Sequence, residues 1–113
     1  MTAADHAAMM QERAKLLPAM AARLGGLDAL IMPTTAIVAP TIAQVADSKV
    51  FAACNTALLR NTSMINFFDL CAISVPLPVS ATALPVGLML VARNGEDRRL
   101  LRIAAAVMTL FEA

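Results

Sequence analysis

Any nucleophilic or metal site in this chain would have to be built from few residues. They are four serines (Ser48, Ser63, Ser74, Ser80), two lysines (Lys15, Lys49), two cysteines (Cys54, Cys71) and one histidine, His6. An activated serine needs a base beside it and usually a sharp glycine-rich turn to present it. None of the four serines sits in such a turn, and no local motif joins a serine to Lys15 or Lys49, although a pairing made by the fold stays open. A catalytic thiol also needs a base. His6 is the only histidine available, and nothing in the sequence positions it. Zinc patterns place ligands in close pairs. Cys54 and Cys71 have no such second ligand nearby, so both read as small buried hydrophobes and no metal or cofactor is expected. The segment ARNGEDRR, Ala92 to Arg99, could pass for an anion cradle before a helix. Its Glu96 and Asp97, however, fall where the helix amides would meet the anion, so the turn reads as structural.

Composition carries more information than these residues. The 113 residues suit one small domain, yet 59% are hydrophobic, only 15% are charged, and the mean hydropathy is +0.71. Soluble domains average roughly 45–50% apolar and about 25% charged. A small domain has much surface for its volume and should be the more polar for it. Such a chain either covers surface against a partner or belongs to a larger core. With a net charge of +1, no basic stripe, no Trp or Tyr and four Phe, nothing points to nucleic acid. Two cysteines make no secreted disulfide framework, and Asp5 precedes any apolar run, so a cytoplasmic location is expected. From Leu70 to Ala92 no residue is charged. That run could cross a bilayer, which takes about 20 residues. Pro76, Pro78, Pro85 and the polar VSATA between them fit two strands and a loop better, and no membrane partner is expected.

The elements follow from periodicity. Residues 4–24 read as a helix with Met10, Ala14, Leu17, Met20, Ala21 and Leu24 on one face, a kink or restart at Pro18 and a stop at Gly25-Gly26. LDALIM reads as a strand ended by Pro33. Residues 33–48 read as a loop with a helical turn near 42–46. Residues 51–67 read as a helix packed through Ala53, Ala57, Leu58, Met64 and Ile65, with Arg60 and Asn61 on other faces. CAISVP and VGLMLVA read as strands apolar enough to be buried on both faces. Asn94 with Asp97 resembles a capping box for a last helix carrying Leu100, Ile103, Ala104, Val107, Met108 and Phe111 on one side. The fold class is α/β, a small mixed sheet of about three strands packed with helices. The crossover through residues 51–67 makes the first two strands parallel, and the loop 77–85 makes the third antiparallel to the second. The edges of such a sheet need neighbours.

Three stretches together resemble the amidase signature family: LDALIMPTTAIVAP, NTSMINFFDLCAISVPLP and LPVGLMLVARNGEDRRLLRIAAAV. The resemblance rests on Asp28, Pro33, Thr34, Asn66, Ser74, Pro76, Leu84, Pro85, Gly87, Asp97, Leu100 and Leu101, in order, and runs from about residue 10 to residue 110. One departure is Cys71, in DLCA, where a proline is common in the family; it resembles variation among allophanate-type members. The resemblance implies the C-terminal end of a large mixed sheet between helical layers, so that residues 1–113 form one partial domain with a helical lead-in at 1–26. It also implies cleavage of amide C–N bonds by a serine activated through a second serine and a lysine, with backbone amides holding the oxyanion. Those elements lie upstream of the matched segment, and no Gly-Gly-Ser-Ser-like run occurs here, so no catalytic residue carries over. What carries over is one wall of an acyl pocket, with Thr62, Ile65 and Asn66 before the second strand and Thr34 after the first as substrate-binding candidates.

Two functional expectations follow. In the first, the chain is the C-terminal portion of an amidase-type hydrolase, inactive alone, whose partner is the missing catalytic portion. In the second, it is a freestanding binding or oligomeric module derived from that fold, a homodimer if it is stable alone.

Overall fold

The computed structural model describes residues 1–81 and 83–111. Its elements run α1 (Ala3–Leu24), β1 (Leu30–Pro33), α2 (Ser48–Phe67), β2 (Cys71–Pro76), β3 (Gly87–Ala92) and α3 (Asp97–Thr109). Of the expected loop 77–85, Thr82 lies outside the described residues.

Helix α1 starts where Thr2 and Asp5 close a reciprocal capping box. His6 therefore lies within an ordered first turn. Pro18 lies inside one continuous helix, which neither breaks nor restarts there, and Gly25 caps its end. Helix α2 begins earlier than its apolar pattern indicates. The Asp47 carboxylate accepts from the amides of Lys49 and Val50, and this cap recruits Ser48–Val50 into the helix. Helix α3 corrects the expected capping box. Glu96 is its N-cap residue, without a side-chain cap bond, and the Asn94 amide group instead reaches the Asp69 carbonyl at 2.8 Å. Gly95, at φ +79°, sits in a left-handed conformation that displaces the helix start by two residues. The acids do occupy this turn, as expected. Glu96 Oε1 meets Arg93 Nη2 at 2.5 Å, and Arg99 bridges Glu96 and Asp28.

The sheet has the order β1-β3-β2. The first two strands run in the same direction, but β3 lies between them, so both pairings in this chain are antiparallel. Residues opposite each other share a face. One face therefore carries the rows Ile31–Leu90–Ile73 and Pro33–Leu88–Val75, and the other Leu30–Val91–Ala72 and Met32–Met89–Ser74. Helix α3 lies along the first face, where Leu100 and Ala104 pack on Val75, Leu90 and Ala92. Helix α2 meets the second face only near its C-terminal end, where Ile65 packs on Met89 and Val91. Burial on both faces, expected of the second and third strands, holds for β3 alone. Strand β2 alternates, with Ala72, Ser74 and Pro76 exposed.

These layers do not close into a compact body. A domain of this length has a radius of gyration of about 13 Å, whereas this chain has 17.2 Å and is a slab only 17 Å thick. Its accessible surface is 8015 Å², against about 6000 Å² for a compact monomer of the same mass. Large apolar side chains share in the exposed surface. Phe51, Leu59 and Met64 on α2 are each more than half exposed, as are Ile31 and Leu101. Met64 thereby departs from its expected place in the packing.

Candidate functional site

The four substrate-binding candidates fall on the α2 side of the sheet and its rim. Ile65 is buried against Met89 and Val91 and forms the floor between helix and sheet. Thr62 is half-buried, and its hydroxyl donates back to the Leu59 carbonyl at 3.1 Å. Asn66 is exposed at the last turn of α2. Thr34 lies just past β1, where its amide donates to the Gly87 carbonyl at 2.9 Å. The structure thus gathers Thr34 and Ile65 on one sheet face, with Thr62 on the helix above and Asn66 at that helix's far end.

Thr34 is the best organised of the four. Its Oγ1 lies 2.5 Å from Ser74 Oγ. The two hydroxyls belong to opposite edge strands with β3 between them. They meet because the intervening position is Gly87: a Cβ there would lie 2.7 Å from Thr34 Oγ1 and closer still to Ser74 Oγ. A glycine in the middle strand therefore opens a polar notch in an otherwise apolar face.

A residue expected to point elsewhere holds the wall beside this notch. Asn61 is buried, and its Nδ2 donates to the Pro33 carbonyl at 2.8 Å, while its Oδ1 accepts from Arg60 Nε at 3.3 Å. Its position four residues before Ile65 was the available signal, because residues i and i+4 share a helix face. Replacing Asn61 by leucine, of similar size, leaves the Pro33 carbonyl unpaired. The expected cost is about 2 kcal/mol, read from urea unfolding, together with faster exchange of the Thr34 amide, which donates to the Gly87 carbonyl beside it.

A larger hollow of about 640 Å³ lies between α1 and the α2–β2 and β3–α3 corners. Leu17, Pro18, Phe68 and Leu70 give it an apolar lining, with Asp69, Arg93 and Glu96 at its rim. Its charges are largely engaged, since Arg93 Nη2 pairs with Glu96, although the buried Arg93 Nε has no hydrogen-bond partner among the described residues. Arg13 Nη2 lies 2.6 Å from Asp69 Oδ1, and Arg13 Nε donates to the Phe67 carbonyl at 2.7 Å. Asp69 has φ +52°, a left-handed conformation that aspartate tolerates better than most residues. Arg13 therefore ties α1 to this corner.

The Cys71 thiol is a poor nucleophile here. Burial raises the Cys71 pKa above its ordinary value, and the negative charge of Asp97 raises it further. The thiol stays protonated and donates to the Arg93 carbonyl at 3.2 Å. Lys15 Nζ is engaged by Glu12 at 2.6 Å. Among the described residues no three His, Cys, Asp or Glu side chains gather as a metal site, and no helix is long and apolar enough to cross a membrane.

These features define one layer of an α/β structure, with an apolar wall, a hydroxyl notch and large uncovered faces. The Amidase family model matches residues 1–101, and the chain belongs to that family. It is 34% identical over 91 residues to a 2-amino-5-chloromuconic acid deaminase of Comamonas testosteroni, covering 80% of this chain and 20% of that protein. To a fatty acid amide hydrolase of Medicago truncatula it is 32% identical over 111 residues, covering 96% of this chain and 18% of the relative. Among solved structures, a glutamyl-tRNA(Gln) amidotransferase component from Thermotoga maritima superposes with a TM-score of 0.71 at 31% identity, covering 87% of this chain and 21% of that one. The chain thus spans about a fifth of the length of the proteins it matches.

Proposed function

We propose that this chain is the C-terminal part of an amidase-type hydrolase that acts in the cytoplasm on amide C–N bonds. Residues 1–113 form one partial domain, led in by residues 1–26. The serine nucleophile, its partner serine and the lysine belong to the portion that covers this one. The present part contributes a wall of the acyl pocket through Thr34, Thr62, Ile65 and Asn66. The observation that carries this reading is the surface: a slab of 8015 Å² with Phe51, Leu59 and Ile31 facing outward has the character of a core laid open. The excess over a compact monomer, about 2000 Å², exceeds the roughly 800 Å² that each partner buries in an ordinary interface.

The test is direct. The purified chain is expected to show no hydrolysis of hexanamide above buffer and no covalent labelling by a serine-directed fluorophosphonate. Turnover abolished by that reagent would overturn the assignment of catalysis to the missing portion.

A further inference from the structure

The candidate wall is drawn from two elements. Thr34 follows β1, whereas Thr62, Ile65 and Asn66 lie on α2. Asn61 joins the two, because its Nδ2 donates to the Pro33 carbonyl at 2.8 Å. That carbonyl and the Thr34 amide belong to one peptide unit, which is planar. Its C=O accepts from Asn61, and its N–H donates to the Gly87 carbonyl at 2.9 Å. The ring of Pro33 fixes its own φ, so these two bonds set the remaining freedom of the backbone that carries Thr34. The threonine side chain is β-branched and stiff at χ1, and its Oγ1 is held 2.5 Å from Ser74 Oγ. Asn61 is itself oriented. Its Oδ1 accepts from Arg60 Nε at 3.3 Å, which turns Nδ2 toward Pro33. All of these partners belong to this chain.

An amide is an unusual choice at this position. Ala57, Leu58, Asn61 and Ile65 form an inward stripe of α2, and the other three are apolar. A buried amide costs free energy unless it is bonded, and a leucine would continue the stripe. What the asparagine adds is a directional link between helix and strand end. We propose that Asn61 is a positioning residue for substrate binding, holding Thr34 at a fixed place relative to Thr62 and Ile65. The inference rests on the reading of these residues as a wall of the acyl pocket. Asn61 is buried and acts through Thr34 rather than by touching substrate. A wall of this kind holds the acyl chain alike in the ground state and the transition state. Its disturbance is therefore expected in KM and not in kcat.

The test uses the intact hydrolase that contains residues 1–113, with active sites counted by fluorophosphonate titration. Asn61→Leu is expected to raise KM for hexanamide about fivefold, while kcat per titrated site stays within about twofold. Misfolding would lower only the number of sites. Asn61→Asp is the second variant. Its carboxylate keeps the shape and the Arg60 partner but loses the donor to Pro33, and it should give the same rise. Thr34→Ala should raise KM as well. Adding Asn61→Leu to it should change KM by less than about twofold further, since the side chain to be positioned is gone. An unchanged KM in either Asn61 variant, a fall in kcat alone, or effects that multiply in the double variant overturns the positioning role and leaves the amidase reading standing. Failure of the intact wild-type protein to turn over any straight-chain amide from acetamide to dodecanamide overturns that reading, and this inference with it.

Discussion

Gly87→Ala is expected to destabilise the chain by about 2–3 kcal/mol, the upper part of the roughly 1–3 kcal/mol range for forcing a methyl group into filled space. Gly87 is strand backbone without a positive φ, so any residue could adopt its conformation, and the obstacle is space alone. The new Cβ would enter the gap in which Thr34 Oγ1 and Ser74 Oγ meet, with Thr34 Cβ at 3.2 Å behind them. The hydroxyls can turn away only by giving up their contact with each other, and Thr34 Cβ stays in the way because the Thr34 amide is bonded to the Gly87 carbonyl. The strands would have to splay where β1 leaves the sheet. Urea unfolding of Gly87→Ala, of Thr34→Ala/Ser74→Ala and of the triple variant closes the test. The alanine at 87 should cost at least about 1 kcal/mol less once both hydroxyls are gone. Equal cost in both backgrounds would place the penalty in the backbone and not in the notch.

That notch shows why the sequence is legible at one level and silent at the next. The glycine in LPVG, the threonine after Pro33 and the serine in CAISVP all stand out, but that hydroxyls 40 residues apart meet over Gly87 depends on β3 lying between β1 and β2. Strand order is a long-range property, and the local pattern gave only the direction of each strand. Helix α3 was readable because one continuous packing surface, the sheet, fixes its face. Leu100, Ile103, Ala104, Val107 and Phe111 all turn toward it, and only Met108 turns away. Helix α2 was harder. It touches the sheet near one end only, so its apolar residues have no single face to share. Phe51, Leu59 and Met64 are left exposed while the polar Asn61 is buried. Asn94 misleads for a related reason. Its sequence context suits a cap, but the left-handed turns at Asp69 and Gly95 bring it to another segment's carbonyl. Local signals describe the elements that pack fully within this chain and fail where the packing partner is a distant turn or lies outside it.

The same distinction sets the expectation for one row of the sheet. Ile31, Leu90 and Ile73 stand side by side on the α3 face, yet their surroundings differ. Leu90 is 1% exposed between both neighbours and α3, whereas Ile31 is 63% exposed. Leu90→Ala should therefore cost about 3 kcal/mol, combining lost transfer energy with a cavity that the ladder on either side keeps from collapsing. In a chain with so little closed core this approaches the whole folding free energy, and urea unfolding should show the transition nearly lost. Ile31→Ala in the isolated chain should cost under about 0.5 kcal/mol. Joined to a catalytic portion that covers this face, Ile31→Ala should instead cost about 2 kcal/mol, because the side chain would then be core. The contrast tests whether a catalytic portion covers this face. A small effect at Ile31 in both settings would mean that whatever covers this layer does not do so over β1.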